Sequence, residues 1–148
     1  FDDDAWLRVA AQSGSFDFLY DPEEDIYSEE DGKPVAHEDK IVLVPFPFDD
    51  LSGSKVRPAV CLTNSISNYE HIVIAFITSQ IINATESSDI PLLQNESGFS
   101  LTGLRVDSAI RLHRLITVPK RIIVRELGVL PPEKTTEIIQ KIRTLFAV

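Results

Sequence analysis

Acidic residues are concentrated at one end of the chain, and this uneven distribution limits what the chain can fold into. Residues 1–36 hold eleven acidic and two basic residues, a net charge of −9. The whole chain of 148 residues also has a net charge of −9, so residues 37–148 are neutral. A segment of this composition does not resemble the start of a globular domain. We therefore divide the chain into a leader (residues 1–36) and a C-terminal domain (residues 37–148).

Composition excludes several classes of protein. The C-terminal domain is long enough to form one hydrophobic core that needs no disulfide bond or metal ion to stabilise it. Cys61 is the only cysteine in the chain, which excludes an intrachain disulfide and indicates a reducing cytoplasm. No apolar run approaches the roughly 18 residues that span a bilayer, and the sequence shows no signal peptide. No phosphate-binding loop or metal-ligand motif occurs. We expect a cytoplasmic protein without a membrane partner, cofactor or metal ion.

Short apolar segments after residue 40 predict a mainly β C-terminal domain. Their composition and length are typical of strands bounded by polar turns. Pro45 and Pro47 limit the first strand to an edge or a barrel rim. Pro131–Pro132 precedes a helix with an apolar face, predicted for residues 133–146. Together these elements predict a small β-barrel capped by a helix. The strands are predicted at residues 41–48, 57–64, 71–80, 105–118 and 120–127.

The leader combines acids with large apolar side chains. Residues 5–12 favour a short helix, for which Asp4 is a suitable N-cap. Residues 16–27 hold six bulky apolar residues among acids. Pro22 interrupts any continuous helix and favours an extended Asp21, so this stretch is predicted to be largely extended. Acids spaced by apolar residues are typical of a ligand for a basic groove, although a solvated acidic segment is the alternative.

Several sequence blocks occur in a recognisable order: IVLVPFPFDDLSGSKVRPAVCLTN, IAFITSQ, GLRVDSAIRLHRL and the terminal helix. The combination resembles the MazF/PemK/Kid family, the toxin halves of bacterial toxin–antitoxin pairs, over about residues 38–148. The resemblance implies a Src-homology-3-like barrel that forms a homodimer. It also implies a metal-independent endoribonuclease that cleaves single-stranded RNA through its ribose 2′-OH. Some relatives instead poison DNA gyrase, and an inactive interaction module of the same fold is a third possibility.

The resemblance assigns candidate catalytic residues. Arg57 matches the family's catalytic arginine, whose guanidinium can stabilise charge on a pentacoordinate phosphorus. Thr78 matches a threonine that contacts the scissile phosphate. Arg105 and Asp107, two apart on a predicted strand, would share a face and form an acid/base pair at one phosphate. A surface ion pair for Arg57, an ordinary strand end at Thr78 and a cross-strand salt bridge at Arg105 are the structural alternatives. The predicted RNA-binding residues are Ser79, Gln80, Ser54 and Lys55.

The leader sequence FDFLYDPEEDIYSEEDGKP resembles the C-terminal tail of an antitoxin that partners such toxins. Tails of this kind wrap the toxin, with apolar anchors in pockets and carboxylates in sites meant for RNA phosphates. The chain is therefore predicted to be a toxin inhibited by a fused antitoxin-like segment, bound to its own barrel or to that of a dimer partner. The predicted phosphate mimics are Asp21, Glu23, Glu24 and Asp25, and the predicted anchors are Trp6, Phe16, Phe18, Leu19 and Ile26.

Overall fold

A computed structural model describes most of the chain. It covers residues 3–32, 40–47, 55–63, 66, 70–123 and 125–146. Ser54, one of the predicted RNA-binding residues, lies outside these ranges. Within them, no helix is both long enough and apolar enough to cross a membrane.

One antiparallel sheet of six strands forms the C-terminal domain, in the order β4-β5-β3-β2-β1-β6. Bulges in the β1–β6 and β3–β5 pairs bend the sheet into a half-barrel. Helix α2 (Pro132–Leu145) follows the last strand. The mainly β barrel with a C-terminal helix is thus confirmed. The strands are β1 (Lys40–Phe46), β2 (Lys55–Cys61), β3 (His71–Thr78), β4 (Asp89–Leu92), β5 (Ser108–Pro119) and β6 (Arg125–Val129).

One strand was not predicted and two begin later than predicted, each for a local reason. Strand β4 was missed because it has only four residues and contains Pro91, which an edge strand tolerates. Strand β5 begins at Ser108 rather than at residue 105, because residues 105–107 form a bend held by Gln94. The segment predicted as a strand from residue 120 starts with the 3₁₀ turn Lys120–Ile122, so β6 begins only at Arg125.

The described part of the leader, residues 3–32, is folded, and the prediction that residues 16–27 are largely extended is wrong. Helix α1 (Asp3–Gln12) begins two residues before the predicted start. Two 3₁₀ turns follow, Asp17–Tyr20 and Pro22–Glu24. Asp21 itself is extended, as a residue before proline should be. Its carboxylate nevertheless accepts a hydrogen bond of 2.9 Å from the Glu23 amide, which caps the second turn.

The leader covers one face of the sheet. Leu7, Phe16 and Leu19 are buried in the same apolar cluster as side chains of β1, β2, β3 and β5. A second cluster on the sheet includes Ile138 of α2. Phe18 and Ile26, predicted anchors, are only partly buried. Trp6 is 45% exposed, so its prediction as an anchor is wrong.

Candidate functional site

Arg57 of β2 is the centre of the candidate site. Its side chain is only 1% exposed. The guanidinium donates 3.0 Å hydrogen bonds to the carbonyl oxygens of Leu19 and Val56, and a 2.6 Å bond to Asp25 Oδ1. All three guanidinium nitrogens are therefore used, and two of them bond to the leader. A buried charge needs such complete pairing, since an unpaired one carries a large desolvation penalty.

The Asp25 carboxylate joins two cations of β2. Its Oδ1 lies 2.6 Å from the Arg57 guanidinium, and its Oδ2 lies 3.2 Å from Lys55 Nζ. Burial alone would raise the pKa of Asp25. The hydrogen bonds and charges of Arg57 and Lys55 outweigh it and hold the pKa below its ordinary value. Asp25 therefore remains a carboxylate, the form that resembles a phosphate oxygen pair.

The end of β3 forms a set of neutral donors around a second carboxylate. Glu24 Oε2 accepts a 2.7 Å bond from Thr78 Oγ1. Glu24 Oε1 accepts bonds of 2.8 Å from the Ser79 amide and 2.6 Å from Ser79 Oγ. Glu24 is 4% exposed, so these donors replace its water. Hydroxyl and amide groups that converge on one carboxylate also suit the oxygens of a phosphate.

Strand pairing brings Arg57 and Thr78 together. Strands β2 and β3 pair in a register that places Ala59 opposite Phe76. Arg57 lies two residues before this pair on β2 and Thr78 two residues after it on β3, so both lie at the same end of the two antiparallel strands, where they contact the adjacent leader residues Asp25 and Glu24. The side chain of Gln80 completes this edge by donating a 3.3 Å bond to Ser79 Oγ. The residues predicted from two separate sequence blocks therefore occupy one site.

Arg105 and Asp107 do not form the predicted pair. Arg105 donates a 2.7 Å bond to Asp31 Oδ1 and a 3.0 Å bond to the carbonyl oxygen of Ile26. Asp107 instead accepts a 2.7 Å bond from the Gln94 amide. The prediction that both residues share the face of a strand is wrong, because they precede β5.

Two of the four predicted phosphate mimics have other partners. Asp21 caps its own turn. Glu23 is exposed, and its backbone oxygen, rather than its carboxylate, accepts a 3.4 Å bond from Ser79 Oγ. Within the described residues, neither carboxylate contacts a cationic side chain. Glu24 and Asp25 are the two that reach the site.

Sequence reasoning missed two further residues of this surface, Asp31 and Arg125. Arg125 of β6 donates bonds of 2.8 Å and 3.0 Å to the carbonyl oxygens of Asp31 and Glu30, and a further bond to the Gly32 carbonyl. The only available signal for Asp31 was the Asp-Gly pair, which favours a turn. Arg125 lies in no recognisable motif, and its partners are about ninety residues away in sequence, so no local pattern identifies it.

Among the described residues, no group of three or more His, Cys, Asp and Glu side chains could hold a metal ion. His113, which neighbours Asp89, hydrogen bonds to Ser88 Oγ at 2.8 Å. Burial and the Arg111 charge lower the pKa of His113, so its ring is neutral at pH 7. What the surface offers instead is a row of guanidinium, ammonium, hydroxyl and amide donors, a set suited to an anionic ligand.

Comparisons with known proteins agree on the region that contains this site. The sequence profile described as "PemK-like, MazF-like toxin of type II toxin-antitoxin system" matches residues 38–146. No curated protein sequence matches the chain.

Several solved structures share the fold. Mycobacterium tuberculosis toxin MazF-mt6 has a TM-score of 0.57 at 18% identity, with 74% of this chain and 97% of that chain covered. The MazE–MazF structure (Form-II) from Deinococcus radiodurans has a TM-score of 0.55 at 17% identity, with 76% and 95% covered. An endoribonuclease in complex with its cognate antitoxin, from a Mycobacterial species, has a TM-score of 0.54 at 10% identity, with 76% and 94% covered.

Proposed function

The chain belongs to the PemK-like, MazF-like toxin family of type II toxin–antitoxin systems, and from this premise we propose that its C-terminal domain is an endoribonuclease. The proposed substrate is single-stranded RNA, and the cleavage uses no metal ion. One compared structure is described as an endoribonuclease with its cognate antitoxin, which supports this assignment. The convergence of Arg57, Thr78 and Ser79 on two carboxylates carries it, because those donors suit a phosphate.

The proposed reaction is an internal transfer within the RNA backbone. The ribose 2′-oxygen bonds to the adjacent phosphorus as the bond from phosphorus to the 5′-oxygen breaks. The proton lost from the 2′-OH is matched by one gained at the 5′-oxygen, which leaves a cyclic phosphate and a 5′-OH. Arg57 stabilises the extra negative charge of the pentacoordinate phosphorus. Thr78 and Ser79 donate to its non-bridging oxygens.

We further propose that the leader inhibits this reaction by occupying the phosphate site. The Asp25 carboxylate takes the position of phosphate oxygens at Arg57, and the Glu24 carboxylate takes it at Thr78 and Ser79. The buried side chains of Leu7, Phe16 and Leu19 hold the leader on the sheet. RNA and leader then compete for one set of donors, as expected of an antitoxin-like segment.

Removal of charge from the leader of the full-length chain tests both the proposed RNA cleavage and its proposed inhibition. Glu24→Gln and Asp25→Asn keep the side-chain shapes but remove both negative charges, so the leader binds the site less tightly. Hydrogen bonds to charged groups contribute about 1.5–3 kcal/mol each. Two such losses amount to about 3–6 kcal/mol, so we expect the E24Q/D25N chain to cleave a long RNA in the presence of a chelator at least about a hundredfold faster than the unmodified chain.

Glu23→Gln is the matched control, since this exposed neighbouring carboxylate contacts no described cation. The E23Q chain should stay as weakly active as the unmodified chain. Mapping of the RNA ends should find cyclic phosphates and 5′-OH groups. Intact RNA together with inhibition of DNA gyrase by the E24Q/D25N chain would replace the proposal with the gyrase alternative. Failure in both assays would leave an inactive interaction module.

A further inference from the structure

Eight of the twelve lysines and arginines of the C-terminal domain fall into two groups according to their partners. One group forms ion pairs with acids of the same domain. The other group has its partners in the leader. Within the described residues, these cations contact leader carboxylates and leader carbonyl oxygens, and any further carbonyl partner lies on the cation's own strand. This division outlines the surface from which the leader excludes other anions. The first group contains Lys40, Arg111, Lys134 and Lys141, and the second contains Lys55, Arg57, Arg105 and Arg125.

Arg105 and Arg125 meet at a single leader residue. Arg105 contacts the Asp31 carboxylate at 2.7 Å, and Arg125 contacts the Asp31 carbonyl oxygen at 2.8 Å. Two guanidinium groups that contact the same residue carry like charges, which repel each other unless an anion or several strong acceptors lie between them. Among the described residues, the C-terminal domain supplies no acid to either arginine. The pair is therefore arranged for a ligand rich in negatively charged oxygen.

We propose that Arg105 and Arg125 form a second phosphate-binding subsite, which holds an RNA phosphate other than the scissile one. The inference rests on the proposed endoribonuclease function. It gives Arg105 a role in binding the RNA backbone instead of the acid/base role predicted from the sequence.

The oxygens that the leader presents at this point support a phosphate ligand. One carboxylate oxygen and three successive carbonyl oxygens, of residues 30–32, contact the two guanidinium groups. The turn that carries them is closed by a 2.8 Å bond from the Ser28 amide to Asp31 Oδ2. Guanidinium groups bind phosphate through several directed N–H groups at once, which an ammonium group cannot do. The Arg105 side chain is still 55% exposed beside the leader, so an extended polymer can reach it.

A phosphate contact away from the reacting bond has a distinct kinetic signature. It stabilises the bound substrate and the transition state equally, so its loss raises KM and leaves kcat unchanged. It also releases counterions, so its loss lowers the salt dependence of RNA binding. Arg57, by contrast, is proposed to act mainly in the transition state. The two arginine sites are therefore separable by experiment.

The test uses the full-length chain carrying Glu24→Gln, Asp25→Asn and Asp31→Asn, here named the opened chain. The ligand is a single-stranded 2′-O-methyl oligoribonucleotide, which lacks the reacting hydroxyl and is not cleaved. Binding constants are measured from about 50 to about 200 mM salt, where phosphate contacts dominate the salt dependence. We expect Arg105→Gln and Arg125→Gln, each added to the opened chain, to reduce the slope of log K against log salt by about 0.7.

Arg143→Gln is the matched control, since Arg143 is exposed on α2 and has no part in this surface. Its slope should equal that of the opened chain. Arg125→Lys keeps the charge and is expected to keep the slope. A changed slope in Arg125→Gln alone therefore reports the lost phosphate contact and not a general disturbance of the fold at this position. Kinetics on cleavable RNA should show a higher KM with an unchanged kcat for Arg125→Gln.

Each remaining outcome overturns a defined claim. An unchanged slope for both glutamine variants, with oligonucleotide still bound, would remove the second subsite and leave the endoribonuclease proposal intact. Tighter oligonucleotide binding by the Arg125→Gln variant would show that Arg125 serves only to hold the leader, and would also remove the subsite. No binding of oligonucleotide by the opened chain would overturn both proposals.

Discussion

Arg57 combines complete burial with a charge, and this combination makes the residue sensitive to small changes. Its guanidinium satisfies three acceptors in three directions. A lysine at this position keeps the charge but offers one compact ammonium group in place of a planar fork. The geometry of Arg57, rather than its charge alone, therefore determines what the residue does at the site.

We expect Arg57→Lys, introduced into the E24Q/D25N chain, to lower kcat for RNA cleavage by about a hundredfold, the usual effect of losing one preorganised donor. Steady-state kinetics with a defined RNA measure this, and thermal unfolding checks that the chain is folded. Lys55→Gln is the control, since Lys55 is 54% exposed and makes one ion pair with the leader. It should change KM only. If kcat of the Arg57→Lys chain equals that of the E24Q/D25N chain, Arg57 has no role in the chemical step.

The lowered pKa of Asp25 makes the leader's contribution to stability dependent on pH. A carboxylate whose pKa is lower when the leader is bound than when it is free stabilises the bound form above the free value of 3.8. That stabilisation is lost as the pH falls below 3.8 and through the lower, bound-state value. Asp25→Asn lacks the ionisable group and serves as the reference.

Thermal unfolding should therefore give a higher Tm for the unmodified chain than for the D25N chain near neutral pH. The difference should shrink once the pH falls below 3.8 and disappear at lower values. A difference in Tm that persists unchanged at the lowest pH would show that Asp25 acts through its shape and not through its charge.

Single site residues were predictable from the sequence where they lie in a local motif. Arg57 and Thr78 were predicted from their blocks, and both lie at the same end of the paired strands β2 and β3. Asp31 and Arg125 were missed because their partnership depends on where the leader docks, which no local pattern encodes. Asp21 and Glu23 were wrongly grouped with Glu24 and Asp25, since four neighbouring acids look alike until the turn at Pro22 separates them.

At the scale of elements, the barrel was easier to predict than the leader. Long apolar runs identify β1, β2 and β3, because burial on both faces leaves little ambiguity. Strand β4 is too short for such a signal. The leader has a weaker pattern, because its order comes from packing against the sheet and not from its own periodicity. Helix α1 illustrates this, since its buried position is Leu7 and not the larger Trp6.

For two substitutions in the leader, the loss of stability should therefore not follow the size of the side chain that is removed. Leu19→Ala removes a fully buried side chain from the apolar cluster and should lower the free energy of unfolding by about 2–5 kcal/mol. Trp6→Ala should change it by less than about 1 kcal/mol, since that side chain is 45% exposed. Urea titration of both full-length chains measures the difference. An equal or larger loss for Trp6→Ala would contradict the docking of α1.

At the scale of the whole molecule, the leader's net charge has a structural counterpart. Two acids of this segment, which has a net charge of −9, pair with cations that have no acid partner in the described part of the C-terminal domain: Asp25 with Lys55 and Arg57, and Asp31 with Arg105. The zero net charge of residues 37–148 conceals this basic surface, because the described acids of the domain that form ion pairs do so with other cations. Total charge is therefore a poor guide to ligands when a chain contains both a groove and its occupant.

The last described residue of the leader lies beside β6, which pairs with β1, the first described strand of the C-terminal domain. Gly32 packs against β6 so closely that a Cβ atom would collide with the Glu126 carbonyl oxygen. Lys40 pairs with Val129 of the same strand, three residues further on, which is about 10 Å. Seven residues, 33–39, connect the two points, and a connection of that length reaches about 26 Å when extended. Binding of the leader to its own domain therefore requires no strain.

This geometry predicts that the proposed inhibition by the leader is intramolecular. A short tether gives the leader an effective concentration of about millimolar, which does not change when the protein is diluted. The specific RNA-cleaving activity of the intact chain should therefore stay low and constant from micromolar to nanomolar protein. A protease site inserted between residues 33 and 39 provides the comparison. After cleavage of the connection, the activity should rise on dilution as the leader dissociates, whereas the uncut insertion variant should behave like the intact chain. A rise in activity on dilution of the intact chain would instead show that the leader is supplied by a second molecule.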